Sequence, residues 1–320
     1  MASLSTKPIT RYHLFALGLV GGVIATSGLI FALTLQLSPF LWNHRLGYPP
    51  TSSNLGLRDG DTIPVPCSSH NDYWRERPLH SALLEGCIGV EADVWPLRGQ
   101  LYVSHSRDRL DTGRTLSALY IDPLVKVLQD KAPQREHGKA GGGVYDADPN
   151  QTLVLLVDIK ASPTVAWPLL LEQLEPLRTR GWLSHNSNGT LVSGPITVVA
   201  SGMTRLQDVE ENPSRDVFLD APLAKLDDSS YNASNSYYAS VSFRRSIGWI
   251  WLGDLRQSQL LKIRDHIKKA HSRGLKVRYW SLPIWPLSVR KRLWGLLVDE
   301  GLDVLHVDDL FGAREVFAQR

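Results

Sequence analysis

Residues 70–105 read HNDYWRERPLHSALLEGCIGVEADVWPLRGQLYVSH, with a histidine at each end and the carboxylate pair Glu91 and Asp93 between them. Glu91 and Asp93 are two residues apart in an apolar run, and this spacing on a strand directs both side chains to one face. Because two buried carboxylates repel each other, the pattern predicts a bound cation that prefers oxygen ligands, such as Mg²⁺, Ca²⁺ or Mn²⁺. Histidine titrates near neutral pH, so His70 and His105 are predicted to act as general acid and base.

The chain beyond residue 62 alternates apolar strands with amphipathic helices, which is typical of a parallel sheet. The predicted strands are 63–69, 88–94, 153–159, 196–200, 217–220, 239–243, 275–280 and 304–307, with a short extension at 100–104. The predicted helices are 78–85, 116–130, 163–180, 258–272 and 287–299. Eight strands in a segment close to the roughly 250 residues of one barrel predict an α/β fold, a single (β/α)₈ TIM barrel. No GxGxxG motif follows a strand, which argues against a dinucleotide-binding fold.

The N-terminal segment from 14 to 42 contains no charged residue and is rich in Leu, Ile, Val, Ala and Gly. It is long enough to span a bilayer, so an N-terminal transmembrane helix that anchors the barrel to the membrane is predicted. A cleavable signal peptide is the alternative, although its apolar core is normally only about 7–15 residues. The predicted domains are a tail at 1–13, the anchor or signal peptide at 14–42, a linker at 43–62 and the barrel at 63–320.

The charges that flank this segment predict the orientation of a single-pass membrane protein. Lys7 and Arg11 favour a cytosolic N-terminus, which would place the barrel on the lumenal or extracellular side. The sequons at Asn150, Asn188 and Asn232 agree with that side and predict a glycoprotein, because N-glycans are added there. With the signal peptide of the alternative interpretation, the barrel would be secreted.

The overall composition excludes several classes of protein. The chain has 35 basic and 32 acidic side chains, a net charge of +3, which is too even to predict a nucleic-acid partner. Two cysteines are too few for a disulfide-rich scaffold or a multi-cysteine zinc site. Cys67 and Cys87 precede His70 and Glu91 at similar distances, and both a disulfide and two unpaired core thiols remain open.

Polar residues fall at the carboxyl ends of the predicted strands, where TIM barrels carry their active sites. Asp158 and Lys160 end the third strand and repeat the two-residue spacing, so both side chains are expected to face the same mouth. Together with Glu91 and Asp93, Asp158 can hold a cation there, while Lys160 adds positive charge for an anion. This combination is typical of phosphate chemistry. A mutual salt bridge between Asp158 and Lys160 at the barrel rim is the structural alternative.

The chain resembles the PLC-like phosphodiesterase superfamily, which includes glycerophosphodiester phosphodiesterases and sphingomyelinases D, in a series of motifs. The motifs are HNDY at 70–73, VEADVW at 90–95, LYVSH ending at 105, and LVDIK at 156–160. Within the superfamily the chain is most similar to the fungal altered inheritance of mitochondria protein 6 family. Two later segments, LKVRYWSLP and GLDVLHVDDL, resemble the seventh and eighth strands more loosely.

This resemblance implies a role for each matching residue. Glu91, Asp93 and Asp158 would bind the metal, usually Mg²⁺ or Ca²⁺. His70 and His105 would be the acid–base or nucleophilic pair. One histidine would activate the attacking oxygen and the other would protonate the leaving group.

The resemblance also implies that Lys160 contacts the phosphate and that Trp280 lines the pocket. Three positions depart from the glycerophosphodiesterase pattern. Asn71 stands where the HRG motif has arginine, the segment at 78–81 lacks the glutamate of the PENT motif, and Ser106 stands where aspartate is common. These changes spare the metal and histidine positions, so they concern glycerophosphodiester specificity.

The predicted function is that of a metal-dependent phosphoric diester hydrolase that acts on a phospholipid or a lipid-derived phosphodiester. One alternative is a non-catalytic, membrane-tethered barrel that binds phospholipid head groups or a protein partner. Another is a metal-dependent barrel hydrolase that acts on carbon rather than phosphorus. Glu91 and Asp93 also have a structural interpretation, as ion-pair partners of Arg75 or Arg98.

The remaining charged residues near strand ends and in helices are predicted to have no catalytic role. Asp308 and Asp309 follow the last strand and are interpreted as loop acids. Five histidines in helical or loop contexts are predicted to lie at the surface: His80, His137, His185, His266 and His271.

Overall fold

Eight parallel strands close into a barrel in the computed structural model of the chain, which describes residues 62–131, 142–250 and 254–320. The strands are β1 Val65–Ser69, β2 Cys87–Leu97, β3 Gln100–Val103, β4 Leu153–Ile159, β5 His185–Ser187, β6 Thr190–Val192, β7 Ile196–Gly202, β8 Val217–Pro222, β9 Ser236–Ser242, β10 Lys276–Trp280 and β11 Val304–Val307. Around the barrel the order is β1, β2, β4, β7, β8, β9, β10 and β11, and β11 pairs with β1. The antiparallel β3 extends β2, while β5 and β6 form a separate hairpin. The predicted TIM-like barrel is confirmed.

Helices connect the strands and cover the outside of the barrel. They are α1 His80–Leu84, α2 Asp122–Asp130, α3 Pro163–Gln173, α4 Glu175–Arg178, α5 Leu206–Glu210, α6 Phe243–Ser246, α7 Gln257–His271, α8 Leu287–Asp299 and α9 Leu310–Ala318. The single helix predicted at 163–180 is divided into α3 and α4, because Pro176 has no N–H to donate to the preceding turn. The helix predicted at 116–130 begins as a π-helical turn, Ser117–Ile121, before α2.

The interior of the barrel has an apolar layer and a polar layer, because alternate residues of each strand share one face. Glu91 is in register with Leu156, and it approaches Arg278 of the distant strand β10, so this face is the interior. Toward the amino ends of the strands the layer is apolar: Val154, Leu156, Val199, Phe218, Tyr238 and Val304. Toward the carboxyl ends, buried polar side chains take over: Ser68, Glu91, Asp93, Ser240, Arg278 and His306. The fold thereby places a buried polar cluster beneath one mouth of the barrel.

A disulfide links the first two strands of the barrel. Cys67 in β1 and Cys87 in β2 are bonded, and both side chains are fully buried. The structure thus decides between the two alternatives that the sequence leaves open. The bond joins β1 and β2 just before His70 and Glu91, so it ties together the two strands that supply the first site residues.

Reduction of this disulfide is expected to lower the free energy of unfolding by about 3 kcal/mol, because the bond closes a loop of roughly 20 residues in the unfolded chain. Urea denaturation of the wild type with and without dithiothreitol measures the difference. The double variant Cys67→Ala, Cys87→Ala is the matched control and should be insensitive to dithiothreitol. Equal midpoints for oxidised and reduced wild type would show that the bond does not stabilise the fold.

One histidine predicted at the surface is buried. His266 lies on the inner face of α7, and its Nδ1 is 2.8 Å from the hydroxyl of Tyr279. Burial, with the charge of Lys262, lowers the pKa of His266 to about 4. The prediction failed because α7 is strongly polar overall, and its pattern does not single out this position. His137 lies outside the described residues.

The buried imidazole of His266 predicts a loss of stability in mild acid. Its pKa is lower in the folded chain than in the unfolded chain, so the unfolded state takes up the proton first as the pH falls. The contribution is fully present above about pH 6.5 and decreases by about 3 kcal/mol as the pH approaches 4. Urea titrations at several pH values measure this slope. His266→Gln, which cannot be protonated, should have a shallower slope, and an identical slope would contradict the prediction.

The localisation predicted from the sequence has to be corrected. In the part of the chain that the structure describes, no helix combines the length and the apolar character needed to cross a membrane. The predicted anchor at 14–42 lies outside the described residues. We therefore withdraw the single-pass placement with a lumenal or extracellular barrel, together with the membrane attachment and glycosylation inferred from it.

Candidate active site

The carboxyl ends of β1, β2 and β4 bring the predicted site residues together at one mouth of the barrel. His70 directly follows β1, and its backbone N–H donates to the carbonyl of Val307 at the end of β11. Asp93 of β2 is in direct register with Asp158 of β4. Lys160 follows β4, held by a hydrogen bond from its backbone N–H to the carbonyl of Val94. The strand registers therefore explain why residues so far apart in the chain converge.

Three carboxylates lie at the centre of this mouth. One oxygen each of Glu91, Asp93 and Asp158 lies within 4.8 Å of the others. The Nζ atom of Lys160 is 3.1 Å from Oδ2 of Asp93 and 2.8 Å from Oδ2 of Asp158. Burial lowers the pKa of Lys160, but the charge of Asp158 and of Asp93 outweighs burial and raises it. The lysine is therefore charged and neutralises part of the negative cluster.

Asp158 retains one oxygen that could accept a further ligand. Its Oδ1 is buried and has no hydrogen-bond partner among the described residues, whereas its Oδ2 accepts from Lys160. Gly202, with a positive φ of 69°, packs directly against this oxygen, and a side chain there would collide with it. Glycine adopts this left-handed conformation without steric cost, so it suits the close approach.

The pKa values of the two other acids shift in opposite directions. Burial raises the pKa of Glu91, but the interaction with His306 and the positive charges of His70 and Arg278 outweigh burial and hold it well below its usual range. Burial raises the pKa of Asp93, and the charge of Glu91 raises it further. The surroundings therefore favour the ionised form of Glu91 and disfavour that of Asp93.

His70 is held by a carboxylate that the sequence interpretation had set aside. Its Nδ1 is 2.8 Å from Oδ1 of Asp308, and its Nε2 is 3.8 Å from Oε2 of Glu91. Burial lowers the pKa of His70, but the hydrogen bond to Asp308 and the charge of Glu91 raise it above its ordinary value. Arg75 fixes Asp308 by donating from Nη2 to its backbone carbonyl. The interpretation of Asp308 as a loop acid was therefore wrong, whereas Asp309 caps α9 by accepting from the backbone N–H of Gly312.

His105 is held by the second acid of β2. Its Nδ1 is 3.1 Å from Oδ2 of Asp93, and its side chain is about half exposed at the mouth. The hydroxyl of Tyr73 lies 2.8 Å from the same Asp93 oxygen and 2.8 Å from Oδ1 of Asn71. Asn71 adopts a left-handed conformation with φ 44°, which asparagine tolerates, and its backbone N–H donates to Glu91 at 3.0 Å. The HNDY segment thus supports both carboxylates.

Arg278 and Asp220 belong to the site although the sequence analysis did not select them. Nη2 of Arg278 is 2.6 Å from Oδ2 of Asp220, and its Nε donates to Oγ of Ser240 at 2.9 Å. Its Nη1 is 3.8 Å from Oε1 of Glu91 and makes no hydrogen bond within the described part of the chain. One pattern in the sequence could have indicated Arg278. It lies two residues before Trp280 on the same strand, and residues at that spacing share one face.

His306 completes the surroundings of Glu91 and was also missed. Its Nε2 is 3.3 Å from Oε2 of Glu91, and its Nδ1 is 3.1 Å from Oγ of Ser68. Burial lowers the pKa of His306 to about 4, so the imidazole is neutral at neutral pH. The structural alternative for Glu91 and Asp93 named Arg75 or Arg98 as their ion-pair partners. In the structure, Glu91 contacts Arg278 and His306, and Asp93 contacts Lys160.

Two tryptophans flank the mouth. Trp280 ends β10 and is partly exposed, with the guanidinium of Arg245 6.0 Å from its ring centroid. Trp74 lies closer to the chemistry: its ring centroid is 5.4 Å from that of His105 and 6.4 Å from that of His70. The exposed indole of Trp74 therefore lies beside both imidazoles, and no sequence pattern had singled it out.

Comparison with known proteins adds to this geometry. A family model described as "AIM6-like phosphodiesterase domain" matches residues 58–220 of the 320-residue chain. A protein of Arthroderma benhamiae named "Altered inheritance of mitochondria protein 6 homolog" is 38% identical over 280 residues, which cover 84% of this chain and 87% of the relative. The chain belongs to this family. The predicted resemblance is thereby confirmed.

Other members of the family and one solved structure are also similar. "Altered inheritance of mitochondria protein 6" of Saccharomyces cerevisiae is 30% identical over 292 residues, covering 83% of this chain and 74% of the relative. A crystal structure of a glycerophosphoryl diester phosphodiesterase from Parabacteroides distasonis superposes with a TM-score of 0.44 and 13% identity, covering 82% of this chain and 89% of that one. The relatives' names refer to mitochondrial inheritance, and they give no support to the single-pass secretory topology that we withdrew.

The matched region contains most of the predicted site. Residues 58–220 include both histidines, the three carboxylates and Lys160, which are all drawn from β1, β2 and β4 or from the loops after them. Four residues of the site lie beyond it, on β10, on β11 or directly after β11: Arg278, Trp280, His306 and Asp308. The barrel closure is what adds this second group to the first.

Proposed function

We propose that the chain is a metal-dependent phosphoric diester hydrolase that acts on a phospholipid or a lipid-derived phosphodiester. The observation that carries the proposal is the arrangement of the two imidazoles. His70 and His105 each direct Nδ1 at a carboxylate, at 2.8 Å and 3.1 Å, and both lie beside the same cluster of three acids and one lysine. Such pairing orients an imidazole for proton transfer through its other nitrogen. Membership of a phosphodiesterase family supports phosphorus as the reacting centre.

The carboxylates fit a divalent cation. Glu91, Asp93 and Asp158 would hold it, because their oxygens converge within 4.8 Å and Oδ1 of Asp158 is buried without a partner. An all-oxygen set of this kind suits Mg²⁺ or Ca²⁺. When bound, the cation stabilises the negative charge that develops on phosphoryl oxygens. Lys160 does not exclude it, since each carboxylate offers about four lone-pair sites and the lysine uses one oxygen of Asp93 and one of Asp158.

In the proposed reaction, each side chain at the mouth has a separate role. One histidine accepts the proton of the attacking hydroxyl, and the other donates a proton to the oxygen of the leaving group. If the attacking hydroxyl belongs to the substrate, the product is a cyclic phosphate. Asp308 and Asp93 hold the Nδ1 atoms of His70 and His105, which leaves Nε2 as the working nitrogen of each. Lys160 supplies a fixed positive charge for a phosphoryl oxygen.

The position of Trp74 supports the proposal that the substrate carries an apolar group. Its exposed indole stands beside both imidazoles, so a substrate whose phosphate lies between the histidines places its next group against this ring. An indole offers a large apolar face with one polar handle, which suits the region where a lipid head group joins its glycerol or sphingosine backbone. We propose Trp74 and Trp280 as the apolar walls of the substrate site.

A panel of phosphodiesters tests the proposed function. The purified chain is incubated with glycerophosphodiesters, lysophospholipids, sphingomyelin and a diacyl phospholipid, each with Mg²⁺, with Ca²⁺ and with EDTA, and products are followed by ³¹P NMR. We expect hydrolysis or cyclic phosphate formation with at least one lipid-derived diester, dependent on the cation. Activity that persists when His70 and His105 are both replaced by alanine would point to a contaminant. Failure with every diester and both cations would overturn the proposal.

A further inference from the structure

Within the described residues, the exposed tryptophans lie on one side of the mouth. Among the described residues four tryptophans expose about a third or more of their surface: Trp74 at 58%, Trp249 at 67%, Trp280 at 36% and Trp285 at 77%. Trp74 follows β1, Trp249 follows β9, and the other two lie at and after the end of β10. The strands β9, β10, β11 and β1 are consecutive around the barrel. The four indoles therefore share one arc at the carboxyl ends of the strands, above the candidate active site.

The loop after β9 is built to present its tryptophan outward. Phe243 is buried, and Gln259 of α7 donates from Nε2 to the carbonyl oxygens of Ile247 at 2.9 Å and Trp249 at 3.1 Å. These contacts fix the backbone on both sides of Gly248. The indole of Trp249 is left outside, although the loop that carries it is tied to the core.

The loop after β10 is also anchored to the core and also exposes apolar side chains. Leu282 packs against the hydrophobic core and anchors the start of the loop. The next large side chains then project outward: Ile284 is 53% exposed, Trp285 77% and Leu287 54%. Three neighbouring apolar side chains exposed on an otherwise well-packed domain indicate a binding surface.

Arginines accompany these apolar groups. The guanidinium of Arg244 lies 4.3 Å from the ring centroid of Trp249, and that of Arg245 lies 6.0 Å from the ring centroid of Trp280. Both arginines are exposed on α6, directly after β9. Indoles and cations side by side match the boundary of a phospholipid layer, where rings enter the region below the head groups and cations meet the phosphates.

We propose that this surface docks the barrel mouth on the surface of a phospholipid aggregate. We name it the tryptophan rim and define it by Arg244, Arg245, Trp249, Trp280, Ile284, Trp285 and Leu287. The inference rests on the proposed function and deepens it: the substrate is taken from a lipid surface rather than from free solution. A protein partner fits the rim less well, because it would cover the entrance through which a substrate reaches His70 and His105.

Vesicle binding by the full chain tests the rim without any need for turnover. The wild type and the double variant Ile284→Ala, Trp285→Ala are sedimented with vesicles of phosphatidylcholine, with and without phosphatidylserine. Transfer of an apolar side chain to the lipid contributes enough that removing two should weaken vesicle affinity about tenfold or more. The control is Val165→Ala, Leu261→Ala, which removes two exposed apolar side chains from α3 and α7, away from the rim. The control should bind vesicles like the wild type.

Turnover measurements separate docking from catalysis. On a water-soluble short-chain diester, the Ile284→Ala, Trp285→Ala variant should retain the kcat/KM of the wild type, while its rate on vesicles falls with the lost affinity. Arg244→Gln, Arg245→Gln should lose the part of the binding that phosphatidylserine adds and that salt screens.

Three results would overturn the tryptophan rim. They are no vesicle binding by the wild type, an equal loss of binding in the control variant, or an equal loss of activity on soluble and vesicle substrates in the rim variant. Vesicle binding that is lost in the rim variant, in a chain that hydrolyses no diester, would refute the proposed function and support the docking surface. Thermal melting followed by circular dichroism shows that each variant is folded.

Discussion

Alanine in place of His70 or His105 is expected to lower kcat by about 10²–10⁴, the usual contribution of a positioned acid or base. Each imidazole is oriented through Nδ1, His70 by Asp308 and His105 by Asp93, so its loss removes a positioned proton-transfer group. Steady-state kinetics on the diester identified by the panel measure the effect. Because both side chains lie at the mouth rather than in the core, the fold should survive.

A control variant and a structural measurement make this prediction specific. His185→Ala removes a histidine from the separate β5–β6 hairpin and should leave kcat unchanged. Circular dichroism melts of the His70 and His105 variants should match the wild type. Turnover close to wild type in either variant would remove that histidine from the mechanism.

Addition of Mg²⁺ or Ca²⁺ to the metal-free chain is expected to raise its melting temperature. The oxygens of Glu91, Asp93 and Asp158 converge, and Lys160 neutralises only part of their charge, so a bound cation relieves repulsion in the folded state alone. By linkage, a ligand at about a hundred times its dissociation constant adds roughly 2.7 kcal/mol to the free energy of unfolding. Melting with EDTA and with each cation measures this gain independently of activity.

The variants Asp158→Asn and Asp93→Asn distinguish the effect of a bound cation from the effect of the surrounding salt bridges. Each variant keeps the shape of the side chain and removes one negative charge, so the cation-dependent rise in melting temperature and the activity should both be lost. The metal-free Asp93→Asn variant should be no less stable than the metal-free wild type, because burial and the charge of Glu91 disfavour the ionised form of Asp93. A wild type whose melting temperature and activity ignore both EDTA and the cations would contradict the metal site. The acids would then serve as partners of Lys160, Arg278 and His306.

The site residues that come from β2 and β4 were predictable because their signal in the sequence is local. Glu91 with Asp93, and Asp158 with Lys160, interrupt apolar strands at two-residue spacing, and that spacing specifies a shared face before any fold is known. The rule that barrel sites lie at carboxyl ends of strands then brings these pairs together. The register of Asp93 with Asp158 agrees with this expectation.

Three site residues that lie on or directly after β10 and β11 were not predictable, because their contacts are with residues far away in the chain. Arg278 and His306 lie in short apolar strands and resemble ordinary alternation, and Asp308 resembles any acid after a strand. Their partners are far away in the chain: Asp308 is 238 residues from His70, and Ser68 is 238 residues from His306. Only the pairing of β11 with β1 makes these contacts, and a sequence pattern does not record that closure.

Taken alone, the sequence determined which residues end strands and which share a face, since both follow from periods of the backbone that do not depend on the rest of the fold. The tertiary structure decided which nitrogen of each histidine is held, which groups surround Glu91, and whether Cys67 and Cys87 are bonded. The reason is that electrostatic interactions and bond formation depend on distance through space. Distances of 2.8–3.8 Å between residues in or directly after β1, β2, β10 and β11 exist only once the barrel is closed.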